Sequence, residues 1–254
     1  MVSEICKIMQ NKELAAGIFE MILQSDKIAA AAMPGQFVHI KVKSSSFALL
    51  RRPISIHYAD KAAGTFAIVY HVVGQGTEEM SRIESGECID VMGPLGKGFP
   101  IFTDKKCAVV GGGIGTAPLL ELAKNISDCD AYLGFRNCNY KTEAFEQSCR
   151  NVYVTTEDGS YGNIGYITEQ LEKRITDYDV IYTCGPKVMM QCVMDICCKN
   201  NVECYVSIEE RMGCGIGACL VCACKIKEVD GEWHYKKACK DGPVFNAKEV
   251  IFDV

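Results

Sequence analysis

The sequence is short of positive charge: 27 lysines and arginines stand against 32 aspartates and glutamates, a formal net charge of −5 over 254 residues. Without a basic block it offers no electrostatic footprint for nucleic acid or for an anionic membrane. No uninterrupted apolar run approaches the ~18 residues that a membrane-spanning helix needs. The first residues, Met1-Val2-Ser3-Glu4-Ile5-Cys6-Lys7, lack the basic start, apolar core and small-residue cleavage site of an export signal. A cytoplasmic protein is expected. Histidine is scarce, and His39, His57, His71 and His234 fall in no metal-ligating spacing, so all four read as structural or exposed. There is no internal repeat and no low-complexity tail. The length suits two ordinary domains and a smaller third.

Cysteine, by contrast, is abundant, with 16 residues. A disulfide scaffold would be the reading in a short exported chain, but here the thiols are scattered through apolar segments and most are expected to be reduced and buried. One group differs. Cys214-Gly215-Ile216-Gly217-Ala218-Cys219-Leu220-Val221-Cys222, with Cys239 further on, has the spacing of a plant-type [2Fe–2S] centre, in which four thiolates hold two irons. Gly213, Gly215 and Gly217 let the backbone wrap an inorganic core and aim N–H groups at sulfur. Cys224 would alternate away from Cys222 in an extended run and reads as a spare thiol. The competing reading is a Cys₄ zinc site, although zinc usually takes two short knuckles rather than three clustered cysteines and a remote one. A small iron–sulfur domain is expected over 210–254.

Residues 1–102 offer short β-branched or aromatic stretches between turn residues, at Ile18–Leu23, Phe37–Val42, Ile54–Tyr58, Phe66–Val73 and Cys88–Met92. They predict an antiparallel barrel, with Gly76–Ile83 as its one short helix. In Arg51-Arg52-Pro53-Ile54-Ser55, Arg52 offers a planar fork to a phosphate or flavin carbonyl, Pro53 fixes the backbone, and the Ser55 hydroxyl can reach a ring nitrogen. In Val72-Val73-Gly74-Gln75-Gly76-Thr77 a strand runs into a glycine-bearing helix start, a natural cradle for a diphosphate. Singly, these segments could be a polar strand end and a capped helix. Together they suit FAD, which needs a seat for its rings and another for its phosphates. Gly93–Phe99 reads as a hinge, or as a loop carrying Lys97 toward the cofactors.

From 103 to 209 strands and helices alternate, predicting a doubly wound parallel α/β sheet with a ligand beyond the carboxyl ends of its strands. Strands are expected at Cys107–Val110, Ala131–Phe135, Val152–Thr156, Asp179–Thr183 and Cys204–Ile208, and helices after Pro118 and over Ile164–Arg174 and Lys187–Cys198. Gly111-Gly112-Gly113-Ile114-Gly115-Thr116 is a relaxed relative of the dinucleotide fingerprint, pointing to NAD(P) diphosphate binding or to mere tight packing. No acidic ribose ligand closes the second strand, so the choice between NAD and NADP stays open. Cys184-Gly185-Pro186 stands where a nicotinamide would arrive. The thiol can pack against that ring, with no histidine beside it in sequence to make it a nucleophile.

The order of Arg52–Ser55, Gly74–Thr77, Gly111–Pro118, Cys184–Pro186 and the cysteine cluster resembles the ferredoxin–NADP reductase superfamily. Within it, Glu210–Cys219 and Tyr235–Phe245 are most similar to the electron transfer subunits of NAD-linked class 1B dihydroorotate dehydrogenases, over essentially the whole length. The resemblance implies that Arg52, Pro53, Ile54 and Ser55 bind the flavin end of FAD, and that Val72, Gly74, Gly76 and Thr77 hold its phosphates. It implies an NAD site at Gly111, Gly112, Gly113, Gly115, Thr116, Cys184, Gly185 and Pro186, and [2Fe–2S] ligation by Cys214, Cys219, Cys222 and Cys239. No catalytic acid or base is implied. An FMN-containing partner subunit would oxidise dihydroorotate, in an assembly of two copies of each subunit. Flavin subunits of NADH-dependent ferredoxin–NADP oxidoreductases and sulfide dehydrogenases share the plan but typically carry an aspartate at the position of Cys214. A zinc-stabilised binding module and a free-standing NADH oxidase are the other classes to separate.

Overall fold

The computed structural model describes residues 1–42, 49–228 and 231–252 of the chain. The first unit is built from β1 (Val2–Ala15), β2 (Ile18–Gln24), β3 (Phe37–Lys41), β4 (Arg52–Asp60), β5 (Thr65–His71) and β6 (Cys88–Leu95). They close into a barrel in the order β1-β2-β5-β4-β3-β6, every neighbouring pair antiparallel. Alternation decides what faces inward: Val38 and Ile40 of β3 join Ile56, Phe66, Ile68, Ile89 and Val91 in the barrel core, whereas Phe37 packs outward against the rest of the protein. The expected helix is present as α2 (Gln75–Ser81), and a second one, α1 (Asp26–Ala31), accompanies it. Ser25 starts α1 by accepting the Ile28 N–H at 3.1 Å, a cap that six residues of weak periodicity do not advertise.

The second unit holds β7 (Cys107–Gly112), β8 (Cys129–Phe135), β9 (Asn151–Thr156), β10 (Asn163–Ile164), β11 (Val180–Cys184) and β12 (Glu203–Ser207), all parallel, in the order β10-β9-β8-β7-β11-β12. Helices α3 (Leu119–Lys124), α4 (Thr142–Glu146), α5 (Ile167–Glu172) and α6 (Lys187–Lys199) lie between the strands. The sheet is buried on both faces: Ala108, Val110 and Tyr132 belong to one core, and Cys107, Val109, Ala131 and Leu133 to another. Strand order reverses beside β7, so the crevice for a ligand lies at the carboxyl ends of β7 and β11. The helix expected over Ile164–Arg174 is shorter, because Asn163 and Ile164 pair with β9 and α5 begins only at Ile167.

The C-terminal segment forms β13 (Ala223–Lys227), β14 (Trp233–Lys237), β15 (Val244–Asn246) and β16 (Val250–Ile251). Strands β14, β13 and β16 make a small antiparallel sheet, while β15 leaves it and pairs antiparallel with β12 through Tyr205–Asn246, Val206–Phe245 and Ser207–Val244. The nucleotide sheet thus gains a seventh strand of opposite direction. One buried core takes Phe37 and Leu95 from the barrel, Val206 and Ile208 from the sheet, and Met212, Cys222, Ala238 and Cys239 from the C-terminal segment. Of the Gly93–Phe99 segment, Gly93–Leu95 complete β6, and the Lys97 N–H donates to the Gly242 carbonyl at 2.6 Å, tying the segment to the C-terminal unit.

Candidate redox site

The two segments read as flavin contacts meet in space. Arg52 opens β4, where Arg52, Pro53, Ile54 and Ser55 pair with Ile40, His39, Val38 and Phe37 of β3. Its neighbour Arg51 is committed elsewhere, with Nη2 donating to both carboxylate oxygens of Asp90 at 2.9 and 2.8 Å. The Arg52 side chain crosses the start of α2 instead, so close to Gly76 that a Cβ there would stand 2.5 Å from Nη2 and nearer still to Nε and Cζ. The Thr77 hydroxyl knots this helix start: it donates to the Gly74 carbonyl at 2.9 Å and accepts from the Val73 and Gly74 N–H groups at 3.0 and 3.2 Å. Val72 continues the strand pairing, its N–H donating to Gly17 at 2.8 Å. A Cβ on Gly74 would meet nothing within 4 Å, so this helix start is open to an incoming group.

The nucleotide segments also come together. Gly111 and Gly112 end β7, and a 3₁₀ turn over Gly113–Thr116 follows, held by the Thr116 hydroxyl donating to the Gly113 carbonyl at 2.9 Å. Cys184 pairs with Gly111 across the sheet. A Cβ on Gly115 would fall 2.5 Å from the Cys184 carbonyl oxygen and 2.5 Å from the Gly185 Cα; one on Gly112 would fall 2.9 Å from Pro186 Cδ. The two motifs therefore share one floor at the carboxyl ends of β7 and β11. Burial, with the Glu209 charge adding to it, pushes the Cys184 thiol up to about 12 despite the Ser207 hydroxyl, so it stays protonated and is no nucleophile.

The four cysteines read as ligands form two pairs. Cys214 and Cys219 stand 3.3 Å apart sulfur to sulfur, and so do Cys222 and Cys239. Backbone donors already point at them: the Cys219 N–H at Cys214 Sγ (3.3 Å) and the Gly217 N–H at Cys239 Sγ (3.2 Å). Burial opposes ionisation of Cys214, yet the N–H groups of Cys219, Ile216 and Ala218 and the Cys219 thiol bring its pKa down to about 6. Cys239 is pushed up to about 12, by burial first and then by Cys222. Lys237 Nζ braces the loop from outside, donating to the Gly217 carbonyl at 2.6 Å. Among the described residues no three His, Cys, Asp or Glu side chains converge on one point as a single-ion site. Two thiolates on each of two irons is the donor set of a [2Fe–2S] centre, so this arrangement fits it better than one zinc inside four thiolates. Cys224 lies apart on β13, its thiol turned to the Lys236 carbonyl at 3.4 Å and pushed up to about 12, chiefly by burial.

Sequence reasoning missed His39, which is buried between the two redox segments, because a single histidine in a strand carries no spacing signal. It also missed the Arg52–Gly76 contact, which only barrel closure creates.

A solved structure of an NADH-dependent reduced ferredoxin–NADP oxidoreductase, described for flavin-based electron bifurcation, superposes with a TM-score of 0.87 at 30% identity, covering 97% of this chain and 89% of its own. The barrel, the nucleotide sheet and the cysteine-bearing appendage together define an iron–sulfur member of the ferredoxin-reductase-like electron-transfer proteins. Residues 209–251 match the family described as the iron–sulfur cluster binding domain of dihydroorotate dehydrogenase B. Electron transfer subunits of dihydroorotate dehydrogenase B (NAD(+)) from Caldanaerobacter subterraneus subsp. tengcongensis and Geobacillus sp. are each 41% identical, over 97% and 99% of this chain and the same shares of theirs. The chain belongs to this family of dihydroorotate dehydrogenase B electron transfer subunits. It is an oxidoreductase subunit carrying FAD and a [2Fe–2S] cluster and serving NAD⁺.

Proposed function

We propose that this subunit takes electrons one at a time from an FMN-containing catalytic subunit that oxidises dihydroorotate, and passes them through its cluster and FAD to NAD⁺, in the cytoplasm, in an assembly of two copies of each subunit. Its working units are 1–102 for FAD, 103–209 for NAD and 210–254 for the cluster. Among the described residues no helix is long and apolar enough to cross a membrane. The observation that carries the reading is the pairing of Cys214 with Cys219 and of Cys222 with Cys239 in a loop packed on the same core as the barrel and the nucleotide sheet.

The chain's own residues bind and orient. Cys214, Cys219, Cys222 and Cys239 would hold the cluster, with the Gly217 and Cys219 N–H groups offsetting its negative charge. Arg52, Pro53, Ile54 and Ser55 would seat the flavin rings, and Val72, Gly74, Gly76 and Thr77 the diphosphate. FAD supplies the exchange between single electrons and a hydride. Gly111, Gly112, Gly113, Gly115 and Thr116 would receive the NAD diphosphate, and Cys184, Gly185 and Pro186 the nicotinamide. No acid or base is needed, so the protein's work is placement and tuning of potentials.

The test is reconstitution with a dihydroorotate-oxidising subunit: orotate formation should be coupled to NAD⁺ reduction. A complex fully loaded with FAD, FMN and iron that cannot couple the two reactions overturns the reading. The structural likeness to the ferredoxin–NADP oxidoreductase favours a second reading, in which the acceptor is ferredoxin or NADP⁺. Turnover with those acceptors, and none with dihydroorotate, would select it.

A further inference from the structure

His39 is fully buried, and neither of its ring nitrogens has a hydrogen-bond partner. A neutral imidazole carries one N–H and one lone pair, and burying both without partners is costly. Alternation along β3 places His39 on the outward face of the barrel with Phe37, flanked by Pro53 of β4 and Met92 of β6. From the opposite side the cluster loop closes over it. Gly215, at φ +72°, lies so near that a Cβ would stand 2.5 Å from His39 Nδ1 and 3.1 Å from Cε1. Burial holds the ring's pKa below the usual imidazole value, against the pull of the Arg51 and Cys214 backbone toward the charged form. One side chain thus stands between the strand that bears Arg52–Ser55 and the turn that bears Cys214.

We propose that His39 is a positioning residue that couples the flavin strand to the cluster loop, its ring packed against the Gly215 backbone and its buried, unpartnered N–H available to that loop, so fixing the loop and the potential of the centre it holds. The inference rests on the reading of Cys214 as a cluster ligand. An N–H dipole turned toward the loop favours the more negative, reduced state, so its removal lowers the midpoint potential. The glycine at 215 has a second use here besides its backbone angle: any side chain would displace the ring.

The experiment measures iron, acid-labile sulfide and flavin content, then cluster midpoint potential and electron paramagnetic resonance line shape at one fixed pH. The protein of natural sequence comes first; if it lacks acid-labile sulfide, the cluster reading itself has failed, whatever His39 does. Given a cluster, His39→Phe should retain it with a more negative potential and an altered line shape, and His39→Gln, which keeps a donor, should restore much of both. Gly215→Ala, which drives the ring away from the other side, should shift the potential in the same direction as His39→Phe. A His39→Phe protein with unchanged potential and line shape overturns the proposal, as does a His39→Gln protein shifted as far as His39→Phe. Should His39→Phe not fold, His39→Leu, smaller and likewise without a donor, takes its place under the same two criteria.

Discussion

Arg52 lies across Gly76, with its guanidinium occupying the space that a side chain at position 76 would need. The two lie 24 positions apart in sequence, and barrel closure brings the start of β4 against the start of α2. The contact makes the segment that would seat the flavin rings and the segment that would seat the phosphates a single surface. A phosphate entering the helix start would meet backbone N–H groups and a fixed planar cation together, the bidentate arrangement that arginine provides and lysine does not.

Gly76→Ala should therefore release flavin rather than unfold the barrel. The methyl group collides with the Arg52 side chain, not with backbone, so the arginine swings away and a charge-assisted contact of about 1.5–3 kcal/mol is lost. FAD affinity measured by fluorescence titration should fall by roughly tenfold or more. Thermal unfolding of the flavin-free protein should be nearly unchanged. A variant that keeps its flavin affinity would separate Arg52 from the cofactor.

Cys214 and Cys224 give opposite expectations although ten positions apart. Cys214→Ser removes one member of a facing pair and a thiol whose pKa is brought down to about 6, so the isolated protein should lose most of its iron and acid-labile sulfide while retaining flavin. Cys224→Ser replaces a protonated thiol that donates to the Lys236 carbonyl and packs beside the core, away from the two facing pairs. Its iron content and visible spectrum should match those of the unaltered protein.

The strands of the barrel and the alternating elements of the sheet were legible because their β-branched runs and glycine punctuation are local signals. The 14-residue β1 was not, since Glu4, Lys7, Lys12 and Glu13 follow no period of two, Ile5 and Met9 are exposed, and register shifts between Ile8 and Gln10 and between Glu13 and Ala15 break the alternation. Strand β15 was assigned with the cluster segment because it follows Cys239 in sequence, and its pairing with β12 is set by tertiary packing of Val244 and Phe245. The cysteine ligands were readable from spacing alone. The surroundings that tune them were not: His39 reaches the cluster loop only through the fold, and Gly215 reads in sequence as a turn residue, not as the roof over an imidazole.

His57 should make the protein acid-sensitive. It is buried on β4, with Nδ1 2.7 Å from the Ala117 carbonyl and Nε2 unpartnered, and burial pushes its pKa down to about 4 despite the Ala117 carbonyl and Glu20, which favour the charged ring. An unfolded histidine titrates near ~6.5. The folded state therefore binds the proton less readily, so the contribution is complete above about pH 6.5 and is lost as pH falls toward 4, at up to about 1.4 kcal/mol per pH unit. Urea unfolding midpoints should decline through that window. His57→Gln should flatten the decline, and an equally steep one in the variant would assign it to other groups.

Gly115 is the position at which the nucleotide floor tolerates least. A methyl group there would stand 2.5 Å from the Cys184 carbonyl oxygen and 2.5 Å from the Gly185 Cα, and both are backbone, so no side chain can swing aside. Gly115→Ala must separate the 3₁₀ turn from the Cys184–Pro186 turn, widening the floor where the two strand ends meet. Because the damage lies between two loops and outside the cores of the sheet, the fold should persist with flavin and iron contents intact. NADH-dependent reduction of the bound flavin should lose affinity for NADH by at least about tenfold, an effect of about 1.4 kcal/mol, while reduction by dithionite proceeds as before. Equal loss with both reductants would place the damage at the flavin, and unaltered NADH kinetics would mean that the nucleotide does not rest on this floor.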